Sequence, residues 1–304
     1  MLRYVKRMEL PMSLLSMILI VSFMAHACWL MAGAWLGELR LPQRSGKNAE
    51  KLNQWLQRWQ LASSLGKSLA ELGDIPAFKF FDRLAREGLR HARTFGNFPR
   101  ELIWEWRDGI AREKAFDERR RSVLWGGYFQ FMLFVLLTWA MVAMTGELMS
   151  EVPTSVALGM VTLQVAGMAL FAPALSWLSR RKLQGLGELL ESLYVLRSLS
   201  GAGLPTGKVI TEAKLEHLPT INSNEVRLLA ERTQELAALY QKQGGALGRE
   251  AQILIQEAWF QREALMGQIV KLAEGLKLVF LLVFFAGAYF IFLGTLLFSV
   301  LQAN

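Results

Sequence analysis

Long apolar runs at about 12–36, 124–146, 155–178 and 276–301 alternate with two polar stretches along the chain. A bilayer core about 30 Å thick takes roughly 20 apolar residues per helical span, so each run is long enough to cross. The first run exceeds the apolar core of a signal peptide, about 7–15 residues, and no small-x-small cleavage pattern stands after it, so it too is expected to be a span. The pattern predicts an all-α membrane protein with four transmembrane helices and two small helical-bundle cytoplasmic domains. Its expected segments are 1–36 (N-terminal segment and first span), 37–123 (first cytoplasmic domain), 124–178 (transmembrane hairpin), 179–275 (second cytoplasmic domain) and 276–304 (fourth span and C-terminus).

Inside the polar stretches the apolar residues keep helical spacing. Leu186, Leu189, Leu190, Leu193, Leu196 and Leu199 form one stripe. That helix is expected to close at 201-GAG, where a glycine can take the left-handed conformation, and Pro205 suits the first turn of the next helix. A further helix over about 224–242 carries Leu229, Thr233, Leu236 and Tyr240 on one face. After 244-GG a long helix, with Leu247, Ala251, Leu254, Ala258, Leu265, Ile269 and Leu272 on one face, runs toward the fourth span. The first stretch follows a similar plan, with breaks at 73-GDIP-76 and 96-GNFP-99 and a helix leading into the second span.

That parallel plan predicts a tandem repeat. A shift of 149 residues carries 96-GNFPRE-101 onto 245-GALGRE-250, pairing Arg100 with Arg249 and Glu101 with Glu250, and carries Gly126 onto Gly275. Both glycines stand where a polar helix meets an apolar run, so each is expected to act as a hinge or to ease close packing. Gly287, beside Ala286 and Ala288 in the fourth run, is expected to let helices approach closely.

Charge adds orientation. The chain has 34 Lys+Arg against 26 Asp+Glu and a net charge of +8, with an isoelectric point near 9.7. Residues 37–122 hold 18 Lys+Arg and 179–275 hold 12, whereas 147-ELMSEVPT-154 holds none. The positive-inside rule places both polar segments in the cytoplasm and both termini outside, although Arg3, Lys6 and Arg7 run against that. The basic excess therefore reads mainly as a topology signal that also suits anionic lipid head groups, rather than as a nucleic-acid surface. A single cysteine, Cys28, excludes a disulfide framework within the chain and a cysteine metal cluster.

Candidate chemistry is sparse. The stretch 201-GAGLPTGKVITEA-213 looks like a phosphate loop but fails the pattern, because Ala202 stands where the first glycine belongs and Val209 follows Lys208. His26, His91 and His217 lie far apart and read as packing or surface residues. Glu101 and Glu105, at i and i+4 beside Arg107, read as a solvated helix face. No enzyme activity, cofactor or metal is expected. An ion-conducting stator or other multi-span transport component is the alternative; proton pathways mark themselves by ionisable residues in spans, and here the spans offer only His26, Gln164 and, at the rim of the fourth, Lys277.

The runs 200-SGAGLPTGKVITEA-213 and 240-YQKQGGALGREAQILIQEAWFQRE-263, with weaker likeness at 92-ARTFGNFPRELI-103 and 112-REKAFDERRR-121, resemble the type II secretion system F family. Its members are inner-membrane platform proteins of type II secretion, type IV pili, tight-adherence (Tad) pili and archaeal filaments. The small polar segments and the additional first span are most similar to the Tad-type members. The first segment departs from the pattern, with Asp74-Ile75-Pro76 in place of a Gly-Leu-Pro corner. The resemblance implies a bacterial inner-membrane platform that couples a cytoplasmic hexameric ATPase to pilin-like subunits, paired with a second platform paralogue or with itself. It further implies partner contacts near Arg100, Glu101, Gly203, Pro205, Arg249 and Glu250.

Overall fold

In the computed structural model, residues 46–66, 72–95, 98–146, 153–203, 206–213, 224–243 and 248–303 are described, and they contain no strand. The first expected span, with His26 and Cys28, lies outside these residues, as do Pro205, His217 and Leu247. The helices are α1 (46–64), α2 (Phe81–Phe95), α3 (Arg100–Gly146), α4 (Thr154–Gly201), α5 (Thr206–Ala213), α6 (Asn224–Gln243), α7 (Gly248–Phe280) and α8 (Gly287–Ala303). A π-helical segment, Leu281–Ala286, joins α7 to α8. Among the described residues, three stretches of helix are long and apolar enough to cross a membrane: Arg100–Thr145, Thr154–Leu183 and Arg249–Gln302.

Two compact units divide the chain. The polar unit comprises Leu41–Arg121 and Trp177–Lys271. Its helices form where the sequence repeats apolar residues every three or four positions. In α2, Phe81, Leu84, Ala85, Leu89 and Ala92 are buried, while Asp82 in the first turn and Arg93 in the last complement the helix dipole. Both polar segments feed one core: Trp59, Phe81 and Trp106 from the first belong to the same buried cluster as Leu193, Tyr194 and Trp259 from the second. The two segments, expected as separate bundles, therefore share an interior. The reason is visible in the pairing of α3 with α4. Leu102 lies against Gly201, Glu105 bonds Arg197, Trp106 bonds Ser198 and the Tyr194 hydroxyl crosses Gly109. These contacts define an antiparallel register that mates the α3 stripe with the leucine stripe of α4.

The corner after α4 forms as its glycines predict. Gly203 sits at φ +75, a region where a side chain is strained, and the Ala202 and Gly203 amides return to the Ser198 and Ser200 carbonyls. In α7 the expected face holds at Ala251, Leu254, Ala258, Leu265 and Ile269, but Leu272 is exposed and Ala273 is buried instead. Steps of seven residues drift about 20° per heptad on a straight helix, and three steps separate Ala251 from Leu272.

The apolar unit includes Ser122–Ser176 and Leu272–Asn304. Its described core is aromatic: Phe131 meets Phe171 edge-on at 4.9 Å and stacks on Phe285 at 5.0 Å. The close approaches fall at Gly127 and Gly167. A Cβ at Gly127 would stand 2.5 Å from the Phe171 ring, and one at Gly167 would stand 2.6 Å from Phe284 Cβ in the π-helical segment. By contrast, no atom lies within 4 Å of a Cβ at Gly275. One at Gly126 meets only Lys277 Nζ at 3.8 Å, and one at Gly287 meets Leu163 at 3.6 Å. Gly167→Ala is expected to destabilise the protein by about 1–3 kcal/mol, because the atom struck sits next to backbone and cannot swing away. A thermal unfolding scan in detergent checks it, and an unchanged midpoint would show that the contact relaxes freely.

Candidate functional site

The strongest concentration of buried charge lies in the polar unit, where α3, α7 and the turn before α2 meet. Glu113 of α3 is 1% exposed. Arg262 of α7 grips it with two nitrogens, Nη1 to Oε1 at 2.5 Å and Nη2 to Oε2 at 3.0 Å. A forked pair of this kind fixes orientation as well as attraction. The Arg262 guanidinium also lies over the rings of Phe116, at 4.8 Å, and Trp259, at 5.3 Å. Its Nε is buried without a hydrogen-bond partner.

A second cation closes the cluster. Lys79 Nζ donates to Glu113 and, at 3.2 Å, to Asp117. Lys79 also has φ 47, the only positive value at a non-glycine residue among the described ones. Such a conformation costs of order 1–3 kcal/mol and persists only where its surroundings enforce it. Here the two carboxylates on α3 hold the amine, and Phe78 and Phe81 are buried on either side of the turn.

Around this cluster further bonds tie the helices. Trp259 Nε1 donates to the Tyr194 hydroxyl at 3.0 Å, joining α7 to α4. Burial pushes the Tyr194 hydroxyl well above the usual tyrosine range, so it stays protonated in ordinary buffers. Arg232 of α6 forks onto Glu257 of α7 at 2.8 and 2.9 Å. Arg107 Nε donates to Asn53 of α1 at 2.7 Å, and Arg83 of α2 pairs with Glu191 of α4 at 3.1 Å.

The residues expected to meet partners lie at helix ends. Arg100 and Glu101 open α3 and are exposed, and the Leu102–Gly201 contact brings that end to the corner carrying exposed Gly203. Arg249 and Glu250 open α7 and are also exposed. Glu101 and Glu250 both stand in first turns, where the dipole favours acid. Glu105 departs from the expected solvated face: it is 18% exposed and bonds Arg197 at 2.9 Å. Its position three residues after Leu102 and one before Trp106 puts it at the edge of the buried stripe. His91 meets the Phe98 ring edge-on at 6.4 Å.

In the apolar unit Gln164 is fully buried. Trp139 Nε1 donates to its Oε1 at 3.0 Å, while its Nε2 has no hydrogen-bond partner. Lys277 is 5% exposed and pairs with Glu274 at 2.6 Å. No group of His, Cys, Asp or Glu that could hold a metal occurs among the described residues.

Glu113 and Asp117 read in the sequence as part of the charged run 112-REKAFDERRR-121 and Arg262 as part of a charged helix end, while nothing in the sequence singled out Lys79. A signal was available: Glu113 is in phase with Leu102, Trp106 and Ile110, and Arg262 with Ala251, Ile255, Ala258 and Leu265, so each ionisable group stands on an apolar stripe. Their separation is also 149, the offset between the paired motifs. The chain matches no protein-family model, no curated protein and no solved structure.

Proposed function

We propose that this chain is a non-enzymatic inner-membrane platform, with both termini outside, that couples a cytoplasmic hexameric ATPase to the insertion or extraction of pilin-like subunits. The observation that supports it most is a pair of long helices that begin in the polar unit and continue as apolar, span-length helix. One is α3, Arg100–Gly146; the other is α7 with the π-helical segment and α8, Gly248–Ala303. At about 1.5 Å per residue, α3 alone is about 70 Å long. The Glu113–Arg262 fork ties the two within the polar unit, so a displacement applied to one is passed to the other. The matching layout of α2, a short break and α3 with α6, a short break and α7 supports the tandem-repeat reading on which this pairing of helices rests. The exposed starts of α3 and α7, with Arg100, Glu101, Arg249 and Glu250, are the surfaces offered to the ATPase. A fourth span over 12–36, and a second platform chain or another copy of this one, complete the reading.

Deleting the gene is expected to abolish filament assembly while pilin-like subunits remain stable in the membrane, read by immunoblot of sheared and membrane fractions. Charge reversal at Arg249 and Glu250 is expected to stop co-purification of the ATPase. Normal filaments in the deletion strain would remove the platform reading. The transport alternative is favoured by one observation, the unpartnered amide of Gln164 in the apolar unit. Altered membrane conductance with intact filaments would support it.

A further inference from the structure

The polar unit carries two basic triplets whose charges are not answered by a salt bridge among the described residues. Arg119, Arg120 and Arg121 lie on α3, and Arg180, Arg181 and Lys182 lie on α4; Arg120 and Arg121 are half-buried and the other four are exposed. None of the six forms a salt bridge with a described residue. The acids next to the first triplet are already engaged, Asp117 with Lys79 and Glu118 with Lys114 at 3.7 Å. The α3–α4 register brings the triplets to one level. Contacts at Leu102 with Gly201, Glu105 with Arg197, Trp106 with Ser198 and Gly109 with Tyr194 show the helices running antiparallel, and continuing them along the pair sets Arg121 level with Arg181 and Arg120 level with Lys182. Six like charges gathered on two adjacent helices repel one another unless an external anion sits among them.

Two further observations identify the anion. Each triplet adjoins an apolar run in its own helix, 124–146 after Arg121 and 155–178 before Arg180. Trp177, one turn from Arg181, is 61% exposed, with the Arg181 guanidinium 5.4 Å from its ring centroid. An exposed tryptophan at the end of an apolar helix is the anchor of a membrane–water interface, and a cation over its ring fixes the arginine beside it. A soluble phosphate or a nucleic acid would need neither the apolar run nor the indole.

We propose that the two triplets seat the phosphates of an anionic phospholipid, one phosphate per triplet, and that a lipid with two linked phosphates such as diphosphatidylglycerol fits best. The seat is independent of the platform function, since it requires only that α3 and α4 enter a bilayer. The lipid links α3 to α4 at the membrane surface and relieves the repulsion between them.

The full-length protein in a neutral detergent, titrated with diphosphatidylglycerol, phosphatidylcholine or inorganic phosphate and read by native mass spectrometry, tests this. Diphosphatidylglycerol should remain bound and phosphatidylcholine should not. The Arg120→Gln/Arg181→Gln variant should bind it about 25-fold more weakly, about fivefold for each arginine removed near the surface, while Lys51→Gln/Lys208→Gln, removing two exposed cations elsewhere in the unit, should bind as before. If the double variant fails to accumulate, Arg120→Gln and Arg181→Gln are read singly for the fivefold loss. Equal weakening in the control pair, equal retention of phosphatidylcholine, or displacement of the lipid by millimolar inorganic phosphate would each overturn the lipid seat.

Discussion

Glu113→Ala is expected to destabilise the protein by about 3–5 kcal/mol, the cost of leaving a buried charge without its partner. Arg262 is 11% exposed, and in the variant its guanidinium would keep the contacts with Phe116 and Trp259 but lose both carboxylate bonds. Lys79 is 30% exposed, and without it Glu113 keeps its fork with Arg262, so Lys79→Ala should cost less. Its φ of 47 makes Lys79→Gly the sharper probe. Both variants lose the same bonds, but glycine relieves the backbone, so it should be more stable than the alanine variant by about 1 kcal/mol. Chemical unfolding in detergent, followed by tryptophan fluorescence, measures all three. The double variant Glu113→Leu/Arg262→Met should recover much of the loss, because a packed apolar pair of similar volume is often as stable as a buried ion pair. A single Glu113→Ala variant as stable as the parent would show that water reaches Arg262 and that the cluster is not the tie between α3 and α7.

If the double variant is stable yet fails the filament-assembly test of the proposed platform function, the fork serves orientation rather than stability. That outcome would fit two long helices whose relative position matters to function. If it is both stable and active, packing alone sets their position.

The sequence was most legible where a single helix carries one continuous stripe. The leucines of α4, the buried face of α6 and the glycine corner at Gly203 follow from spacing and backbone conformation alone. Legibility failed where a position's environment depends on a segment distant in the chain. Glu105 looks solvated until α4 places Arg197 beside it, and Glu113 looks solvated until α7 and Lys79 converge on it from residues 149 and 34 positions away. The same limit applies to glycines. Gly126 and Gly275 stood out because they matched at one offset, but the tight contacts are at Gly127 and Gly167, where rings from other helices press on the backbone. A matched position reports a shared sequence pattern; a close approach is decided by the partner's side chain.

Trp106→Ala is expected to cost about 3–5 kcal/mol or slightly more. The ring is 1% exposed and packs among Trp59 at 6.1 Å and Phe98 at 5.2 Å. Its Nε1 donates to the buried Ser198 hydroxyl at 2.9 Å, and the variant would strand that hydroxyl as well as open a cavity. Gly88 of α2 completes the site, since a Cβ there would lie 2.6 Å from the Trp106 ring and 3.1 Å from the rings of Phe98 and Trp59. In the parent, Gly88→Ala should destabilise by about 1–3 kcal/mol through overpacking, outweighing the gain of about 1 kcal/mol from better helix propensity. In the Trp106→Ala background the main clash is gone and the propensity gain remains, so Gly88→Ala should become neutral or stabilising. That change of sign is a coupling between residues in contact, and unfolding midpoints of the four proteins measure it. If Gly88→Ala costs the same in both backgrounds, Trp106 does not press on α2 and the aromatic cluster is looser than its ring distances imply.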